Sequence, residues 1–320
     1  MKIPAVIAIV MVGVFGFAGA QEGDIPRPQG PYLGQTPPNT TPVLFAADLL
    51  SPRCAIHGCP VFSPGGEEVF WGPMSGSKCG EKNDEILFRK QVDGVWSEPR
   101  VVPFSSAFWD SDDPCLSPDG KRIYFTTHRP SGLLRFDFDE KIMYAEREGT
   151  GWSSARSVGR AVNAMFRHWQ VSVNRNYDLF FHAERETDKP GIFVARWVRG
   201  AYQKPERLPD EINSVNSTNP FVAPDESYLL FVRTMPETGD DIFVSFKDAN
   251  GKWTEARKLG DAVNSASHDM CPNVSPDGKF LFFLRLREGM NRAFWVSASV
   301  IEELRIGSSG GSTAGGPCGR

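Results

Sequence analysis

An all-β, five-bladed β-propeller of four-stranded antiparallel blades is the fold this sequence predicts, and three observations predict it. One strand-turn-strand phrase recurs five times: Val61-Phe62-Ser63-Pro64-Gly65-Gly66, Cys115-Leu116-Ser117-Pro118-Asp119-Gly120, Val171-Ser172-Val173-Asn174-Arg175-Asn176, Phe221-Val222-Ala223-Pro224-Asp225-Glu226 and Asn273-Val274-Ser275-Pro276-Asp277-Gly278. The copies stand 50 to 56 residues apart, too far for a helical-hairpin repeat and right for a propeller blade. The last repeat lacks an outer strand that the N-terminal segment is shaped to supply.

Within a repeat, the second copy is the clearest. Pro114 to Ser117 runs into the Pro118-Asp119-Gly120 turn, and Arg122-Ile123-Tyr124-Phe125 follows as a β-branched and aromatic strand, a tight antiparallel hairpin. A third strand is expected at Lys141-Ile142-Met143-Tyr144, with counterparts at Glu85 to Phe88, Gly191 to Val194, Asp241 to Val244 and Ala293 to Val296. A glycine turn then opens an outer strand at an aromatic residue, Trp96, Trp152, Tyr202 or Trp253. Three outer strands end alike, at Val158 to Asn163, Leu208 to Asn213 and Leu259 to Asn264. Phe45-Ala46-Ala47-Asp48-Leu49-Leu50 has the same apolar spacing, so residues 42–50 are expected to close the blade that contains Trp295. Closure removes the exposed sheet edge on which such arrays would aggregate. The 23 Phe and 8 Trp of the chain are expected to pack between blades.

The organisation that follows is a leader at 1–20, a linker at 21–40, one propeller domain at 41–305 and a Gly/Ser-rich tail at 306–320. Lys2, the apolar run Ile3 to Phe17 and the small residues Ala18-Gly19-Ala20 form a secretory leader with cleavage before Gln21. The run is short for a membrane span, and a retained anchor is the other reading. Export to the periplasm or the medium is expected, for a monomer. Six cysteines permit disulfides in that setting. Cys59 and Cys271 share a repeat position, and two readings stand open for them: a bridge between neighbouring blades, or two buried free thiols. A net charge of −4 supplies no basic footprint for nucleic acid.

The phrase Ser117-Pro118-Asp119-Gly120-Lys121-Arg122-Ile123-Tyr124-Phe125, echoed by Ser275 to Phe283, resembles the WD40-like repeat of TolB-type propellers. The resemblance covers about 41–305 and implies the fold rather than one activity. The repeat occurs in translocation-associated proteins, in exported proteins of other roles, and as the propeller of prolyl-oligopeptidase-type peptidases and some pectic-oligosaccharide lyases. A peptidase would need a nucleophile elbow between strand and helix. The one G-x-S-x-G match, Gly307-Ser308-Ser309-Gly310-Gly311, lies in the tail.

The loops that enter the innermost strands share one face with those that leave the second strands. All five histidines fall there, His57, His168 and His268 on the first set and His128 and His182 on the second. The expected ligand-binding residues of this loop face are His57, Asp112, Asp113, Arg129, His168, Trp169, Asn219, His268 and Asp269, with Asp110, Arg167 and Asn216 beside them. Such a ring could hydrogen-bond a polar ligand or pair internally and cap strand ends. Trp109 and Trp169 could stack on a sugar or seal the mouth. Arg129, Arg185, Arg233, Arg285 and Arg287 could take an acidic ligand through a planar fork or pair with Asp110, Asp112, Asp113, Glu184 or Asp269. No C-x-x-C or H-E-x-x-H spacing is present, so no metal and no cofactor is expected.

Two functions fit these residues. The first is an exported, non-catalytic binding or scaffold module for a protein, peptide or saccharide. The alternative is a carbohydrate-active propeller, either a hydrolase that uses two or three carboxylates from different blades, with Asp112, Asp113, Glu184 and Asp269 as candidates, or a metal-assisted lyase that uses the histidines. Two acids about 5–9.5 Å apart across an open pocket would favour hydrolysis, whereas acids buried against arginines would favour a structural role.

Overall fold

The computed structural model describes residues 27–50, 54–74, 85–105, 108–130, 140–185 and 188–306. The predicted leader at 1–20 and the tail beyond Ile306 lie outside them.

The chain forms five antiparallel blades. The innermost strands are Val61–Phe62, Ser111–Leu116, Phe166–Val173, Ser217–Val222 and Asp269–Val274. Each pairs with a second strand, Glu68–Trp71, Arg122–Thr127, Leu179–Arg185, Tyr228–Met235 or Phe280–Arg287. Leu87–Val92, Lys141–Glu148, Asp188–Ala195, Gly239–Phe246 and Met290–Ser297 follow as third strands. The outer strands of blades one and two are broken in two, as at Gly151–Trp152 and Arg156–Ser157, both paired to Lys141–Glu148. Side chains fill the break, Ser97 and Ser153 accepting the amides of Lys90 and Glu146, and Thr254 does the same for Phe246 in blade four.

Closure follows the predicted route. Val43–Leu44 pairs with Met290–Ser297, Val43 opposite Trp295 and Leu44 opposite Phe294, and the Phe45 amide continues the ladder to the Ala293 carbonyl at 2.8 Å. Residues 47–50 are a helical turn rather than more strand. The matching segments are the same device, Arg160–Asn163 and Asp210–Asn213 being helical turns that follow outer strands. Their last residue explains the recurring asparagine. Asn163, Asn213 and Asn264 each accept the N–H and donate to the C=O of Ile142, Ile192 and Ile242, so one side-chain amide extends the sheet by one rung. Asn213→Ala strands the N–H of buried Ile192, whose carbonyl keeps the Leu208 amide at 2.9 Å, and is expected to cost about 1–3 kcal/mol, read as a lowered urea midpoint; an unchanged midpoint would refute the clamp.

Both faces of every blade are buried, which is why the strands read as continuous apolar runs. Alternate residues of one strand serve opposite seams. Phe180 joins Ile192, Leu229 and Phe231, whereas Phe181 joins Tyr124, Val171 and Tyr202. Five such clusters occupy the five seams. The closing seam holds the densest set of rings, Phe45, Phe62, Trp71, Trp96, Phe282 and Trp295.

Within the 21–40 linker, the stretch from Gln29 to Gly34 lies against this seam. Gln29 bridges to Val95, Leu33 is buried, and Tyr32 packs edge-on against Phe62 and Phe280 at 5.1 Å. After the last strand, Ser299–Ile306 forms a helix that buries Ile301 against the fourth and fifth blades, where no further element was expected.

The five hairpin turns share one bond: Tyr177 N–H donates to Asn174 O at 3.1 Å in the third, as Gly120 donates to Ser117 at 2.7 Å in the second. The third turn is one residue shorter, with Val173 opposite Leu179 where Leu116 stands opposite Ile123. The counterpart of Ser117 is thus Asn174 rather than Val173. Its Oδ1 accepts the Asn176 and Asp178 amides, the service that Ser117 and Asp119 together perform in blade two. Tyr177 and Glu226 hold the left-handed position (φ 66° and 59°) that glycine fills in the other blades.

Candidate functional site

A left-handed residue recurs in the innermost strands. Asp113, Gln170, Asn219 and Cys271 have φ of 49°, 41°, 49° and 53°, each at a break in register with the second strand. Asp and Asn enter this region more readily than most residues. Three of the four precede a proline, Pro114, Pro220 or Pro272, as Cys59 precedes Pro60 in blade one. The resulting bulge gathers five equivalent residues into a ring about the axis. Asn219 donates to Gln170 Oε1 at 2.7 Å and to Cys271 Sγ at 3.4 Å, and the Gln170 amide donates to Asp113 Oδ2 at 3.3 Å. Cys271 reaches blade one at the His57 carbonyl.

On the turn side of this ring lies a cavity of about 290 Å³. Its walls come from all five innermost strands and include Phe62, Leu116, Val171, Phe221 and Val274; Cys59, Asp113 and Gln170 line its ring end, and the exposed turns at Pro64, Pro118, Arg175, Pro224 and Pro276 its mouth. Gly58 keeps the ring end open. A Cβ there would lie 2.9 Å from Asp113 Oδ1.

Of the predicted site residues, the structure brings Asp113 and Asn219 into the ring, and Asp113 faces the cavity. The others occupy the loop face in separate local arrangements. His57 sits 3.2 Å from Asp112. His168 is fully buried, with its nitrogens against the carbonyls of Glu140 (2.7 Å) and Val162 (3.1 Å). His268 meets Asp240 at 2.9 Å in its own seam. Asp269 is fully buried and accepts from Arg285 Nε at 2.6 Å and from the Ser265 amide and hydroxyl. The backbone N–H of Arg129 donates to Thr127. Trp169 is 43 % exposed and stacks on buried His182 with centroids 5.1 Å apart. Burial holds the His182 imidazole down to about 4, so the ring is neutral; its Nε2 meets Asn216 Oδ1.

The arginines divide in the same way. Arg233 and Arg285 donate to carbonyls of the helical turns, Glu211 and Ile212 for one and Val263 for the other, and Arg167 pairs with Glu184 at 3.5 Å. Cys59 and Cys271 are free, buried thiols, so the open question between a bridge and two thiols is settled for the thiols. Cys54 is disulfide-bonded instead.

One residue of the site carried no sequence signal. Glu140 has its carboxyl pushed up to about 8, first by burial and then by the charges of Asp113 and Asp112, against a hydrogen bond to Thr126. Nothing in its local sequence announces this, because the carboxylates that raise it come from another strand. Between its ordinary value of 4.5 and about 8 the folded protein holds a proton that the unfolded chain releases. The associated stability is therefore complete below about 4.5 and lost as pH rises through about 8. Glu140→Gln is expected to flatten this fall in urea titrations; equal slopes for the two proteins would refute the assignment.

Among the described residues, no cluster of three His, Cys, Asp or Glu side chains could hold a metal ion, and no helix is long and apolar enough to cross a membrane. No family model and no curated protein matches the sequence. Solved structures do. TolB from Acinetobacter baumannii superposes with a TM-score of 0.50 at 14 % identity, over 76 % of this chain and 54 % of that one. The fold is that of a TolB-like propeller. This chain thus spans about half the length of the Acinetobacter TolB. A protein assigned as TolB from Agrobacterium tumefaciens gives 0.49 at 17 % identity (72 % and 70 % covered), and a xylan beta-1,4-xylosidase from Bacillus halodurans gives 0.48 at 12 % (77 % and 53 %). At these identities the likeness concerns the TolB-like fold alone.

Proposed function

We propose that this chain is an exported, non-catalytic binding module whose ligand, a peptide segment of a partner protein, enters the axial cavity from the turn face and ends on the polar ring. The cavity carries this reading: it is enclosed by all five blades, and its walls are mainly apolar strand residues and prolines, with Ser172 and Asn273 among them and further polar groups at the ring end, the make-up of a ligand site. Apolar walls suit a chain with apolar side groups better than a polyol. The acids support a non-catalytic role. Asp269 is committed to Arg285, Glu184 to Arg167 and Asp112 to His57, which leaves Asp113 facing the cavity, and one carboxylate is not the pair that glycoside hydrolysis uses. The leader-like pattern of 1–20 and the Cys54 disulfide support export to an oxidising compartment. Closure of the last sheet edge by Val43–Leu44 supports a monomer.

A thermal-shift screen of the mature protein against peptides and oligosaccharides tests this. A peptide that raises the melting temperature should lose its effect in Arg175→Trp, which narrows the mouth. A ligand that survives that change but is lost in Trp169→Ala would move the site to the loop face, and turnover of any ligand would overturn the non-catalytic reading.

A further inference from the structure

Asp113 is more than nine-tenths buried and lines the cavity. Among the described residues its carboxylate accepts one hydrogen bond, the 3.3 Å contact from the Gln170 backbone N–H, and meets no cationic side chain. Several other buried acids do have cations. Asp269 has Arg285, Asp241 has Lys258, Asp178 has Arg196, and Glu226 has Arg196 and Lys247. An ionised carboxylate out of water without a counter-charge is costly, so its position calls for a reason.

The surroundings add to that cost instead of relieving it. The amide of Gln170 already faces Asn219 through Oε1. Cys59 and Cys271 are pushed well above the ordinary thiol range by burial and then by the Asp113 charge, so both stay neutral and offer the carboxylate no counter-charge. Gly58 leaves the space beside Oδ1 that a side chain at that position would fill. The carboxylate thus sits at the ring end of a cavity whose mouth is on the turn face.

We propose that Asp113 is the counter-charge for a cationic group on the ligand: a primary ammonium on an apolar stem, inserted along the axis so that the stem lies against Phe62, Val171, Phe221 and Val274 and the ammonium reaches the carboxylate. This rests on the axial cavity being the binding site. The chemistry is shared by a lysine side chain, a peptide N-terminus and a small alkylamine. Burial of the charge pair away from water makes such a contact selective for the cation over a neutral or anionic chain of equal length.

Calorimetry on the mature full-length protein with hexylamine, hexanol and hexanoate reads this directly. The expected order is hexylamine tighter than hexanol by roughly tenfold or more, the lower end for a charge-assisted contact, with hexanoate weakest. Asp113→Asn should abolish the difference between amine and alcohol while leaving hexanol unchanged. N-acetyl-lysine methylamide and a tetrapeptide with a free N-terminus, each against its acetylated form, distinguish the two peptide sources. Equal binding of hexylamine and hexanol to the native protein would overturn the charge assignment and leave the cavity as the site. Failure of all three chains to bind, or binding untouched by Arg175→Trp, would overturn the axial site itself. Because the order of the three chains is read on the native protein, the inference stays open to refutation even if Asp113→Asn does not fold.

Discussion

Removal of residues 27–50 is expected to abolish cooperative folding at ordinary temperature, or to leave an aggregating species, because the segment does two jobs at one seam. Val43–Leu44 is the outer strand of the fifth blade, and its loss exposes the ladder edge of Met290–Ser297 to other chains. Phe45 is fully buried and meets Phe282 and Trp295 with centroids 5.0 Å apart. The truncation also strips the Leu50 carbonyl from the Trp71 indole N–H, a 2.8 Å bond. Phe45→Ala isolates the packing part: emptying a buried Phe site typically costs about 3–5 kcal/mol. Circular dichroism melts and light scattering on both variants are the measurements. A truncated protein as stable and monomeric as the intact mature chain would show that the ring does not depend on this strand.

Asp269→Ala is expected to be nearly as damaging, at about 3–5 kcal/mol, since it leaves Arg285 uncompensated and only partly exposed to water. Arg285 also holds the Val263 carbonyl at 2.7 Å and lies 5.0 Å over the Phe294 ring, so it cannot swing out to water without breaking the turn at the end of the fourth blade. Ser265 loses the acceptor of both its amide and its hydroxyl. The paired change Asp269→Leu with Arg285→Met removes both charges and should recover much of the loss, as apolar replacement of a buried ion pair often does. Urea midpoints of the single and double variants decide it. A double variant no better than Asp269→Ala would mean that the hydrogen bonds to Ser265 and Val263, rather than the stranded charge, set the cost.

The site was legible only in part. Loop-face residues such as His57, His168, His268 and Asp269 look equivalent along the chain because each precedes an innermost strand. Their surroundings differ blade by blade: His168 faces two backbone carbonyls, while His268 faces a carboxylate. The left-handed residues decide which side chain turns to the axis. A bulge of one residue at Asp113, Asn219 or Cys271 moves the alternation to the other face, and no local spacing announces a bulge.

What the sequence by itself determined is the set of blades, their hairpin turns and their closure. These rest on local causes, apolar strand runs and turn residues that recur in the repeats, together with an outer strand missing at one end and present at the other. What only the tertiary structure decided is the choice among chemically similar residues. Cys59 and Cys271 share a repeat position, yet both remain thiols while Cys54 is bridged. Asp269 and Asp113 are both buried carboxylates, yet one is met by an arginine and the other faces an apolar cavity. The charge on Glu140 likewise depends on Asp112 and Asp113 from another strand. Burial and long-range charge belong to the assembled ring, and they set the chemistry of a side chain that its neighbours in sequence leave open.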